Sequence, residues 1–348
     1  MSDVSNSLVR RLFEPASLDR QAPAAKVATY AVLFLWTLVV LVPLYWVLVT
    51  SFKLPTHVDN GPVYLPFIDF SPSLHAWDFM LLQNNTLGPY VNSIVVALAS
   101  TVLSVLIGAL AAYALVRIRF QVKIAAVATF LVLLVALIVA VVTFGVRWEV
   151  ALTVAVALFL LSLGTIARRT RLALGNTDIE FWMISNRIMP PIVAVLPIYV
   201  MFQQMRLLDT QIALIATYTA VNLPIVVWLT RDFFAGIPLD LEESAEIDGA
   251  SKFRVFFTIA LPLVRSGLVA TFLLVLILSW NEYLLALFLS NANAQTMPVL
   301  VSAQNTTRGP QWWYMSVLIV MMIGPVVVIA SVLQKHIARG LLAGAVKG

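Results

Sequence analysis

Arg231 to Gly267 reads RDFFAGIPLDLEESAEIDGASKFRVFFTIALPLVRSG, a polar interval set between two long apolar runs. Its residues describe two short helices joined by a tight turn. Asp240, with Glu243 three residues on, has the spacing of an acidic capping box. Ser244 and Ala245 give the first helix a small-residue face able to approach another surface closely. Gly249 suits the left-handed position that stops a helix. Ser251 is placed to cap the second helix, which Pro262 delimits. On local physics alone, a docking element is favoured, and an amphipathic hairpin lying at a membrane interface stays open as the alternative.

The flanking runs settle the solvent. A helix needs about 20 apolar residues to cross a bilayer core. Runs of that kind occur at about 27–50, 90–116, 124–143, 150–167, 181–203, 211–230, 264–289 and 314–333, which makes eight expected spans. Composition agrees: the chain is 61% hydrophobic, 11% charged, and its mean hydropathy is +0.95. Soluble domains carry about 25% charged residues, so this chain lacks the polar exterior a soluble fold of its length requires. There is no cysteine, and His57, His75 and His336 are scattered, so neither a disulfide framework nor a thiolate metal site is expected.

A net charge of +5 with pI near 9.6 raises the question of nucleic acid. The basic residues form no patch, and none is expected to bind it; instead they alternate between loops. With the N-terminus inside, the inner segments hold Arg10, Arg11, Arg20 and Lys26; Arg117, Arg119 and Lys123; Arg168, Arg169 and Arg171; Arg231, Lys252, Arg254 and Arg265; and Lys335, Arg339 and Lys347. The outer segments hold only Lys53, Arg147, Arg206 and Arg308. This is the positive-inside asymmetry, and it places both termini in the cytoplasm. The first residues are polar and mixed in charge, unlike a cleavable signal peptide. Within the spans, Ser100, Ser104, Gly108 and Ala112 recur every four residues, a stripe that admits a neighbouring backbone. Pro190 and Pro191 interrupt the fifth run, a break that reads as a local kink or as the lining of a pathway.

Glu243-Ser244-Ala245, then Gly249, then Ile259-x-Leu261-Pro262, resembles the EAA loop of binding-protein-dependent ABC importer permeases. Only Ser244 departs, standing where alanine is usual. Asp248-Gly249-Ala250 fits the common form as well. Thr50-Ser51-Phe52-Lys53, Tyr90-Val91-Asn92-Ser93, Trp280-Asn281-Glu282-Tyr283 and the closing Arg339-Gly340-Leu341-Leu342-Ala343-Gly344 resemble the carbohydrate branch, the maltose-transporter-like permeases. The resemblance implies an all-α polytopic membrane protein, the transmembrane subunit of a type I ABC importer. Residues 1–26 would be a cytoplasmic segment, 27–334 the permease domain and 335–348 a cytoplasmic tail. Such permeases have six spans. Here 121–177 adds a two-helix hairpin, and its even number of spans preserves the orientation of every later span.

The resemblance further implies that the loop at about 232–263 couples to a separate ATPase through Glu243, Ser244, Ala245, Asp248, Gly249, Ala250, Ile259, Leu261 and Pro262. The chain has no GxxxxGK[ST] phosphate loop. It is therefore expected to have no catalytic residue, metal or cofactor of its own, with ATP and Mg used by two copies of a cytoplasmic ABC ATPase. A second permease subunit in a heterodimer, an extracytoplasmic solute-binding protein and membrane lipid complete the expected partners. The setting is the cytoplasmic (inner) membrane and the solute a sugar or polyol. A non-carbohydrate solute is the nearest alternative. A secondary transporter would need intramembrane carboxylates for ion coupling, for which Glu282 is the plausible residue. A membrane enzyme would need clustered His, Asp or Glu within the spans, which the sequence lacks.

Asn186, Arg187, Asn281 and Glu282 are polar groups within or beside spans. Such groups normally face a bundle interior or a water-filled cavity, which makes them candidates for the substrate path as well as for helix packing. Topology has a direct test. Cysteines placed at Gly145 and Asn293 are expected to react with an impermeant thiol reagent applied from outside; labelling of Gly145→Cys only after permeabilisation would show that the inserted segments do not span.

Overall fold

The structure is a computed structural model describing residues 22–345, apart from 60, 62, 170–171, 186–188 and 308. Arg187, Asn186 and Arg308 therefore lie outside the described residues. The fold is almost wholly helical: α1 (Pro23–Thr50), α2 (Leu87–Arg117), α3 (Ile124–Phe144), α4 (Trp148–Arg169), α5 (Asn176–Ser185), α6 (Pro191–Gln204), α7 (Gln211–Ala235), α8 (Leu239–Ile247), α9 (Lys252–Leu263), α10 (Arg265–Trp280), α11 (Leu284–Leu289), α12 (Met297–Ala303) and α13 (Trp312–Ala345). Two-residue ribbons pair β1 (Val122–Lys123) with β2 (Ala173–Leu174), and β3 (Asn305–Thr306) with β4 (Gly309–Pro310).

Among the described residues six helices are long and apolar enough to cross a membrane: α1, α2, α3, α7, and the segments Trp148–Thr165 of α4 and Trp312–Leu333 of α13. The bent pair α9 and α10, which meet at 80°, brings the number to seven if it counts as one span. The remaining expected run, 181–203, is divided between α5 and α6. Pro191 starts α6, and 14 residues rise only about 21 Å. The chain is an integral membrane protein. Helix also continues to Ala345, beyond the end expected for the last span.

The chain forms two compact units. One comprises residues up to Asn84 together with Ala303–Met322. In it α1 is exposed and apolar along most of its length, and the motif Thr50-Ser51-Phe52-Lys53 turns the chain out of it. Lys53, expected as a solvated outer charge, is instead buried: Nζ donates to the Val63 carbonyl (2.6 Å) and lies 4.4 Å from the centre of the Trp46 ring. Burial holds its pKa below the ordinary lysine value, partly offset by the Asp69 carboxylate.

The other unit, Asn85–Ser302 with Ile323 onward, is built on α2 and α7. Ser100, Ser104 and Ala112 are fully buried, and Gly108 is buried with them. A β-carbon at Gly108 would lie 2.5 Å from Val226 Cγ1 on α7. The two backbones thus touch where the small stripe runs, and Ser104 Oγ donates to Ser100 O (2.7 Å) and Thr219 O (3.3 Å) across the seam. Further along, Asn222 Nδ2 donates to Ser279 Oγ on α10 (3.0 Å). At one end of the unit Asn92 donates to the carbonyls of Asn293 and Gln295, and it accepts from Gln211 Nε2. Asp209 accepts the backbone N–H groups of Asn291, Asn293 and Ala294. Burial would raise its pKa, but these N–H donors prevail and hold the carboxyl below the ordinary range.

The α3–α4 hairpin turns at Gly145, whose φ of 62° is left-handed. It is closed at its base by β1–β2 and by Asn176, which donates to Leu115 O and Ile118 O and accepts from Phe120 N. Its two helices pack on each other, with Phe130 edge-on to Phe159, and their outward faces are exposed apolar side chains.

The α2–α7 seam is the vulnerable contact. Gly108→Ala places a methyl group against the stiff β-branched Val226, an overpacking expected to cost about 1–3 kcal/mol. A lowered Tm of the detergent-purified protein would report it. Val226→Ala combined with Gly108→Ala should recover only part of the loss, because Val226 Cβ itself lies 2.8 Å from the added methyl.

Candidate functional site

The hairpin quoted first is α8 and α9. Pro238, with φ −58° and ψ 131°, fixes the chain just before α8, so the helix begins at Leu239. Asp240 is consequently inside the first turn, and no side chain caps α8. The expected Asp240–Glu243 capping box does not form. Asp240 and Glu242 instead place negative charge in the first turn, where the helix dipole favours it, and Ser244 Oγ donates to Asp240 O (2.7 Å).

The other end of α8 takes the expected form. Gly249 has φ 84°, Gly249 N donates to Glu246 O (3.0 Å) and Ala250 N to Ala245 O (2.9 Å). This is the Schellman closure, with glycine where a β-carbon is costly. Ser251 Oγ accepts from Arg254 N (3.3 Å) and caps α9. Lys252 and Glu246 approach across the turn at 3.8 Å. The middle of α9, Phe256–Ala260, is a π turn. Pro262 stands in the last turn, and the break itself falls at Val264.

The hairpin has two faces. Phe256, Ala260 and Val264 are buried against Ala109, Ala112, Val227 and Phe234 of α2 and α7, and Val255 is buried too. Glu243, Ser244, Asp248, Gly249 and Pro262 point away and are exposed, while Ala245, Ala250, Ile259 and Leu261 are half-buried. Ile247 is 86% exposed and Phe253 72%, so two large apolar side chains flank the Gly249 turn, uncovered among the described residues.

Glu242, next to Glu243, faces the opposite way and is only 5% exposed. Its Oε1 accepts from Arg117 Nε (2.9 Å) and a terminal guanidinium nitrogen (2.7 Å), and its Oε2 accepts from Tyr113 Oη (2.7 Å). That same nitrogen also donates to the carbonyls of Phe234 (3.2 Å), in the last turn of α7, and Ile237 (2.9 Å), just past its end. The Tyr113 ring packs against Phe234 and Phe256. Removing one partner of a buried pair leaves an uncompensated charge, typically at about 3–5 kcal/mol. Sequence reasoning missed these residues. Arg117 was only one of the inner charges; the one usable signal was its spacing of four from Tyr113, which puts both on one face of α2.

Of the residues considered for a substrate path, Asn281 and Glu282 sit where the chain breaks between α10 and α11. Asn281 Nδ2 donates to Ile277 O (2.8 Å), and Glu282 Oε1 accepts from Leu285 N (3.0 Å) at the start of α11. Tyr218 Oη on α7 donates to Glu282 O (3.4 Å). The structure therefore engages both side chains in closing helix ends.

Residues 163–342 match the family described as the binding-protein-dependent transport system inner membrane component. This chain belongs to that family. Among its relatives, the diacetylchitobiose uptake system permease protein NgcG of Streptomyces coelicolor is 27% identical over 334 residues, covering 94% of this chain and 90% of the relative. The trehalose/maltose transport system permease protein MalG of Thermococcus litoralis is 28% identical over 321 residues, covering 90% and 94%. The crystal structure of a bacterial ABC transporter involved in the import of alginate contains a chain of the same fold. It superposes with a TM-score of 0.59 at 19% identity, over 90% of this chain and 97% of that one. The chain is thus a transporter permease with the fold of an ABC importer subunit.

At the helix break, Glu282→Ala removes the acceptor for Leu285 N and is expected to lower stability by about 1 kcal/mol, the usual worth of a cap. Glu282→Gln keeps an acceptor oxygen and should stay near the parent. Thermal unfolding of the purified variants checks both.

Proposed function

We propose that this permease is one half of a heterodimeric translocation pathway in the inner membrane that imports a sugar or polyol, driven by a pair of separate ATPase subunits that use ATP and Mg. The carrying observation is the two-faced hairpin: one side is fixed to α2 and α7, and the other presents Glu243, Ser244, Ala245, Asp248, Gly249 and Ala250 around a rigid Schellman turn. A small-residue surface beside a carboxylate, flanked by Ile247 and Phe253, suits docking into a cleft of a soluble subunit. Glu243 would meet a basic residue there. The class of solute rests on relatives named for diacetylchitobiose and for trehalose/maltose. An extracytoplasmic binding protein delivers the solute at the face opposite the hairpin.

In this reading ATP closes the ATPase pair, the hairpin moves with it, and the spans rock between inward- and outward-facing arrangements. Both termini are cytoplasmic, and the broken run containing Asn186 and Arg187 completes eight spans. Asn281 and Glu282 border the outer part of the pathway while closing their helices, so alanine at either should raise the apparent Km for uptake without dissociating the complex. An apolar crevice of about 200 Å³ lined by Leu98, Leu273, Trp280 and Ile329 has the wrong chemistry for a hydroxyl-rich solute.

Gly249→Val is expected to preserve membrane insertion while reducing transport and stimulated ATPase activity, because a β-branched residue is strained at φ 84° although space around it is open. Glu243→Lys should act in the same direction. Uptake assays over a panel of labelled disaccharides, polyols and amino acids, with copurification of the ATPase, test the proposal. Parent-level transport in Gly249→Val, or no ATPase in the purified complex, would defeat it.

A further inference from the structure

The buried group at Glu242 joins three elements that the hairpin's exposed face does not touch. Arg117 ends α2, the carbonyls of Phe234 and Ile237 lie at and beyond the end of α7, and Glu242 belongs to α8. One guanidinium bonds all three, with side-chain exposures of 11% for Arg117 and 6% for Glu242. Arg117 presents a planar fork, which fixes direction as well as distance. Tyr113 occupies the second carboxylate oxygen, so Glu242 is held from both sides by one helix. Apolar contacts of Phe256 and Ala260 with Phe234, Ala109 and Ala112 bring α9 onto α2 and α7, but packing of that kind tolerates sliding. The charged fork does not.

We propose that Arg117, Glu242 and Tyr113 are positioning residues that lock α8 to the ends of α2 and α7, so that a displacement of the coupling hairpin is delivered to the α2–α7 pair as one rigid movement. This rests on the reading of α8–α9 as the coupling element. Glu243 faces the ATPase and Glu242 faces the membrane domain: adjacent carboxylates on one helix receive and transmit. In a membrane domain with no ATP site of its own, such a joint decides whether hydrolysis moves the spans or is wasted.

The test uses the full transporter complex in lipid nanodiscs, with spin labels on Leu241→Cys and Ile107→Cys in this cysteine-free chain. Distances are measured with and without ATP–vanadate, beside ATP hydrolysis. The otherwise unaltered labelled complex should give one narrow distance in both states. Tyr113→Phe should broaden it slightly, Glu242→Gln more, and Glu242→Ala most, while hydrolysis continues. Arg117→Lys, which keeps the charge but not the fork, should resemble Glu242→Gln. If Glu242→Ala fails to assemble, the three conservative variants carry the test. A single unbroadened distance in all of them overturns the proposal, as does a loss of hydrolysis equal to any loss of order. Gly249→Val and Glu243→Lys, run in parallel, separate the two ideas: parent-level ATPase stimulation in both would reject the coupling reading itself.

Discussion

The contact between α2 and α7 is the constraint on which the second unit depends. In lipid, helices gain little from apolar burial because the acyl chains are as apolar as leucine, so association relies on close packing and interhelical hydrogen bonds. Gly108 supplies the first, where any side chain would strike Val226. The Ser104–Thr219 contact supplies the second. Because the backbones meet here, the ends of α2 and α7 emerge side by side. That proximity lets a single arginine reach both α8 and the carbonyls at the end of α7. The hairpin's placement therefore depends on a glycine roughly two and a half turns away along α2.

The same arrangement shows how charge is handled at the edge of a membrane domain. Lys53, just after a span in one unit, and Arg117, at the end of a span in the other, are charges that composition would assign to solvent, yet both are enclosed by their own chain. Lys53 finds a carbonyl and an aromatic face; Arg117 finds a carboxylate and two carbonyls. Each secures a place where the chain leaves a span, and turns there are set by directed bonds as much as by hydrophobic fit.

Much of this was readable from sequence because it depends on local chemistry. Apolar run lengths located six helices to within a few residues, and Gly249 and Ser251 mark the ends of α8 and α9 by conformational preference and capping. The every-fourth stripe from Ser100 to Ala112 announced a close neighbour. The features that escaped depended on partners far along the chain. Nothing local distinguishes Glu242 from Glu243; only Arg117, 125 positions earlier, decides which is buried. The expected cap at Asp240 failed because Pro238 set the start of the helix two residues sooner. The break expected at Pro190 and Pro191 does divide the run at 181–203 between α5 and α6, but Asn186 and Arg187 fall outside the described residues.

The α3–α4 hairpin leaves and re-enters through a neck only two residue pairs wide, latched by the side chain of Asn176. Its departure and return points are held together by bonds that do not involve α3 or α4. A chain built this way has a natural grafting port. A hairpin tied off at its root in this way can be altered along its length with little strain passed on to α2 or α5.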